Sequence, residues 1–137
     1  MSYLERDKFG IYKALKKGNG PHLMGAHTLT GEKVVNHHGE ELGSIKEFML
    51  DMQTGKVAYA VMSFGVFTIG EKLFAVPWGA LRLDTVNKCF VVNIEKEHLI
   101  KAPGFEKDAW PDMNDPEWVH DLHAYYGAKA FQDGPLV

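Results

Sequence analysis

KVAYAVMSFGVFTIGEKLFAVPW, residues 56–78, reads as two strands joined by a glycine-bounded loop. Val57, Ala58, Tyr59, Ala60, Val61, Met62 and Phe64 form one β-branched and aromatic run, and Leu73, Phe74, Ala75 and Val76 form a second. Gly65 and Gly70 bracket the connection. Pro77 has no backbone N–H to give to a ladder and so marks the end of the second strand. Neither run alternates cleanly between apolar and polar residues. That pattern predicts strands covered on both faces, by the rest of the chain, by a partner subunit, or by both.

Outward from this pair, the pattern stays one of short strands. Upstream, Ala26–Thr28 and Lys33–Asn36 are two brief strand candidates, and His37-His38-Gly39-Glu40 is a polar turn. Residues 43–52 read as a long strand carrying Ile45, Phe48, Met49, Leu50 and Met52. Ile45 and Phe48 cannot share a face at period two, so a bulge or bend is expected near Lys46–Glu47. Gln53-Thr54-Gly55 is a hairpin-type turn with glycine where positive φ is needed. Downstream, Arg82–Asp84 is an extended piece, Val86-Asn87-Lys88 a turn and Cys89–Ile94 a further strand, followed by one or two helical turns over Glu95–Lys101. Short antiparallel neighbours joined by tight turns predict a small barrel or sandwich.

The two ends differ from this middle. Residues 1–23 carry scattered apolar positions and break at Gly18-Asn19-Gly20-Pro21, which predicts an N-terminal arm. Residues 102–137 form a C-terminal extension whose proline-punctuated first part, with Phe105 and Trp110, is expected to be an ordered, irregular crossing that covers both aromatics. Its one helix is predicted over about residues 115–126. Asp115 is placed as cap, Pro116 as first residue and Gly127 as exit. Trp118, Val119, Leu122, Tyr125 and Tyr126 make one apolar stripe, which must dock on its own sheet or on a second copy's.

With 137 residues, the chain fits one domain with terminal extensions. Fifteen Lys and Arg stand against eighteen Asp and Glu, a formal charge of −3. This balance argues against strong binding to a phosphate backbone, for which Lys13, Lys16, Lys17, Lys33 and Lys46 are the available contacts. The single cysteine, Cys89, lies in an apolar run and reads as a buried, inert thiol. Charges at Glu5, Arg6, Asp7 and Lys8 interrupt the start of the chain where a secretory signal needs an apolar segment, and no run is long enough to span a membrane. The expectation is a cytoplasmic protein.

Residues from about Ala26 to Lys101 resemble the PRC-barrel domain. The resemblance is carried by Gly39–Gly43 with Ile45, Leu50-Asp51 with Thr54-Gly55-Lys56-Val57, Ala58-Tyr59-Ala60-Val61, Phe64-Gly65, Ile69-Gly70-Glu71-Lys72 and Ala75-Val76-Pro77-Trp78. It implies a mainly β fold over residues 24–101: a small β-barrel of about six antiparallel strands with a C-terminal helical extension. The family includes the cytoplasmic part of the photosynthetic reaction centre H subunit and the C-terminal domain of the bacterial ribosome maturation factor. The present sequence shows neither the transmembrane helix of the one nor the separate N-terminal domain of the other. The resemblance carries over no catalytic residues. It implies a stand-alone bacterial member acting as a homodimeric adaptor without a cofactor. An RNA- or ribosome-associated factor and a small-molecule or metal-binding protein are the alternatives.

Few residues invite a chemical reading. His120 and His123, at i and i+3 on the terminal helix, are the candidate metal ligands, expected opposite or flanking the apolar stripe and without a third ligand fixed by the sequence. A pH-sensitive contact would explain them equally well. His37 and His38 read as a solvent-exposed turn pair, because adjacent side chains on a loop rarely converge on one ion. Ser63 lacks the glycines of a hydrolase elbow, and the Gly65–Gly70 loop lacks the Lys-Ser/Thr of a phosphate cradle. Phe67, Phe74, Trp78, Trp118, Leu122 and Tyr125 are the expected interface residues.

Overall fold

The computed structural model describes residues 24–64, 72–84 and 86–127. The N-terminal arm, the loop containing Phe67 and the last residues of the extension lie outside that range.

Among the described residues, seven strands form one sheet in the order β5-β6-β1-β2-β3-β4-β7. They are β1 (Lys33–Asn36), β2 (Glu41–Leu50), β3 (Val57–Phe64), β4 (Lys72–Pro77), β5 (Leu81–Asp84), β6 (Cys89–Val92) and β7 (Phe105–Glu106). The fold is mainly β, as the sequence predicts, and the expected six antiparallel strands are corrected to seven in a mixed sheet. The sheet is mixed, because β1 and β6 run parallel, with Val34 opposite Phe90 and Asn36 opposite Val92. It also ends in β5 and β7, with no pairing between them that closes it among the described residues.

The long central hairpin follows the sequence closely. β2 and β3 pair antiparallel, and the register passes from Ile45↔Met62 to Glu47↔Val61, so Lys46 is the extra residue of the expected bulge. β2 stops at Leu50, short of the expected Met52, because Asp51 starts an Asx turn: its Oδ1 accepts from the Gln53 amide and its Oδ2 from the Thr54 hydroxyl. Gly55 takes the positive φ of that turn, +77°.

Alternate side chains of β3 and β4 enter two different cores. Ala60, Met62, Phe74 and Val76 face a cluster with Val34, Leu42, Ile45, Phe90 and Val92. Phe48, Trp78 and Phe90 meet along its border with ring centroids 6.1 to 6.2 Å apart. Leu99 of α2 (Lys96–Ile100) and Leu29 of α1 (Ala26–Leu29) complete this cluster. Residues 26–28 are therefore the start of a single helical turn rather than a strand. Both the Thr30 amide and the Thr30 hydroxyl close that turn on the Ala26 carbonyl.

On the opposite face, Ala58, Tyr59 and Ala75 pack with Leu122 of α3 (Pro116–Tyr126). This accounts for the nearly continuous apolar runs of β3 and β4: one face meets the main core and the other meets the chain's own helix. The Asp115 carboxylate accepts from the Glu117 amide at 3.0 Å, Pro116 opens the helix and Gly127 ends it at φ +68°. Replacing Asp115 by alanine should cost about 1 kcal/mol. The loss would appear as a lower urea midpoint with an unchanged slope.

β7, two residues long, pairs with β4 and gives the 103–113 crossing its order. Phe105 packs on Trp110 at 5.0 Å, yet Trp110 remains 41 % exposed, so the expected cover is incomplete there. Cys89 is buried and unpaired, and burial pushes its thiol pKa up. That environment suits an unreactive thiol.

Candidate functional site

The expected interface residues are mostly engaged within the protomer. Phe74 and Leu122 are buried, Phe74 in the main core and Leu122 between α3 and the sheet. Trp78 packs on Phe48 and Phe90, and Trp118 meets the Tyr59 ring edge-on at 5.4 Å. Tyr125 ties α3 to α2: its ring stacks on His98 at 4.0 Å, its hydroxyl donates to the His98 carbonyl, and His98 Nε2 donates to the Tyr125 carbonyl at 3.1 Å. The apolar stripe of α3 thus docks on its own sheet.

The two histidines of α3 have different surroundings. His120 stands in solvent, whereas His123 is buried. Its Nδ1 donates to the Val119 carbonyl at 2.7 Å, and its ring packs 5.5 Å from Tyr59. The expectation that both flank the stripe is therefore corrected for His123, which lies within the helix–sheet contact. Periodicity could not separate these roles, because i and i+3 positions straddle the edge of an apolar stripe.

Two other features lie on the surface. The first is the β2–β3 turn. Met52 is 87 % exposed and Leu50 54 % exposed on a turn fixed by Asp51, with the Gly55 amide donating to the Asp51 carbonyl and the Asp51 amide to the Lys56 carbonyl. Both apolar side chains are thus exposed on a turn closed by its own backbone hydrogen bonds.

The second is at the end of the sheet where β1 and β6 finish together. Because these strands are parallel, the residues that follow each one emerge at the same edge: His37 and His38 after β1, and Glu95 after β6. His38 Nε2 lies 3.1 Å and His37 Nε2 3.5 Å from Glu95 Oε1. The His38 ring beside Glu95 holds its carboxyl below the ordinary carboxylate range, with His37 adding to the effect. The two imidazole centroids are 4.0 Å apart and tilted by 42°.

Asn36 shapes this turn from below. It is 1 % exposed, its Oδ1 accepts from the His38 and Glu40 amides at 3.0 Å each, and its Nδ2 donates to Glu40 Oε1 at 2.8 Å. The turn pair thus has a third partner that the sequence did not reveal. His38 and Glu95 are 57 residues apart, and only the parallel pairing brings them together.

Fold and surfaces together define a small, mainly β module with a helical tail folded onto it. The chain belongs to the PRC-barrel domain family, whose model matches residues 21–99, more than half of the sequence. No curated protein matches the chain. Among the described residues, no helix is long and apolar enough to cross a membrane.

Proposed function

We propose that this chain is a non-enzymatic binding and assembly module that works as a homodimer and presents a surface to another protein. The observation that carries this reading is the exposed apolar pair Leu50 and Met52 on the pinned β2–β3 turn. The hydrogen-bonded turn backbone is already ordered, so a partner that covers the pair orders only the two side chains, and such exposed apolar anchors favour association. Because α3 covers the outer face of β3 and β4 within one protomer, the second copy meets the strands and turns of the sheet rather than the stripe of α3. The family's adaptor-like members support the same reading.

Light scattering on the full-length protein over a wide concentration range tests it. The expected mass is twice that of the protomer, falling to the protomer mass in Met52→Asp at unchanged secondary structure. A protomer mass for the parent protein at every concentration would remove the homodimer. Co-sedimentation with ribosomal fractions that fades with added salt would favour the RNA-associated alternative instead.

A further inference from the structure

We propose that His37, His38 and Glu95 bind a divalent ion of the zinc class, a site separate from the assembly surface and not dependent on it. Among the described residues these are the three metal-ligating side chains whose donor atoms all lie within 4.8 Å of one another. A tetrahedral zinc with bonds of about 2.0–2.1 Å places its donors roughly 3.3 Å apart. The observed 3.1 Å and 3.5 Å from the two Nε2 atoms to Glu95 Oε1 bracket that spacing.

The donor set selects the ion. Two imidazole nitrogens and one carboxylate oxygen suit zinc, nickel or cupric ions, whereas magnesium and calcium require sets made of oxygen. All three side chains are exposed, so the remaining coordination position opens to solvent, where water or a donor from another molecule completes the shell.

Adjacent histidines on a free loop would gain little from such an ion, because ordering them offsets the bonds formed. Here the order exists beforehand. Buried Asn36 holds the backbone of the turn through the His38 and Glu40 amides, and buried Ile94 and Leu99 anchor the segment on either side of Glu95. The ion therefore clips the β1–β2 turn to the start of α2 and stabilises the folded chain.

Calorimetric titration of the untagged full-length protein with zinc chloride, paired with melting curves, tests the site. The expected result is one ion per protomer and a melting point raised by roughly 10 °C at a hundredfold excess over Kd. His38→Ala and Glu95→Gln should each weaken binding by about tenfold or more while leaving the zinc-free melting point unchanged. His120→Ala should leave binding intact, and magnesium should give no shift. The absence of a zinc response in the parent protein overturns the proposal. So does a response that survives both His38→Ala and Glu95→Gln, or one abolished by His120→Ala, which would move the ion to α3. The two site variants are on different segments, so misfolding of either leaves the other to decide.

Discussion

Gly43→Ala is expected to destabilise the protein by about 4 kcal/mol or more, in the upper tail for a single substitution. Gly43 sits in β2 between two neighbours, opposite Val34 of β1 and next to the Ser44↔Ser63 pair of the β3 ladder. A Cβ placed there would stand 1.8 Å from the Ser63 carbonyl oxygen and 3.1 Å from the Met62 side chain. The first of these contacts is backbone, and no rotamer change relieves it. β2 and β3 would have to move apart, disturbing ladder bonds worth about 1 kcal/mol each and the packing of Ile45 against its neighbours. A chain of this length has a total stability of roughly 7–20 kcal/mol, so the loss is a large part of it. Gly79→Ala is the control: nothing lies within 4 Å of a Cβ at Gly79, and the change should stay within about 0.5 kcal/mol. Urea midpoints at matched slopes would measure both. Equal midpoints for the two variants would mean that the central strands separate at little cost.

What could be read in the sequence was local. The bulge at Lys46, the turn at Gly55 and both caps of α3 follow from residue types within a few positions of one another, and each is found where expected. Ala26–Leu29 escaped because four residues are too few to separate a period of 3.6 from one of 2. The parallel β1–β6 pairing escaped for a different reason. It joins Val34 to Phe90 with no turn between them to announce it, and antiparallel hairpins are the default for short strands.

The His37–His38–Glu95 group inherits that difficulty. Each residue was visible, and the nearness of Glu95 depends wholly on two strands ending side by side. The stripe on α3 shows the converse limit. Its spacing established that Trp118 and Leu122 need cover, and the same stripe would serve a helix docked on its own sheet or on another's. Only the packing against Ala58, Tyr59 and Ala75 distinguishes them.

That packing makes Tyr59 the residue on which the helical tail depends. Tyr59→Ala is expected to cost about 3–5 kcal/mol, the range for truncating a buried aromatic ring. The ring is 2 % exposed and lies between the Trp118 and His123 rings. Burial raises the pKa of its phenol above the ordinary tyrosine value, so the group is neutral near neutrality and the loss should not vary with pH there. The cost also has a ceiling. Once the lost packing exceeds the free energy with which α3 docks, the helix leaves the sheet and further damage no longer counts. The mutual His98–Tyr125 contacts raise that ceiling by holding α3 to α2 as well. Hydrogen exchange separates the two regimes. If docking is the weaker term, the amides of Val119, Leu122 and His123 lose protection while those of β2 and β3 keep theirs. If docking is the stronger term, all of them lose protection together as global stability falls. Tyr59→Phe keeps the ring and its contacts with Trp118 and His123, so its change should stay within about 1 kcal/mol. A Tyr59→Ala protein with a parent-like urea midpoint and fully protected α3 amides would show that the helix is held by something other than this ring.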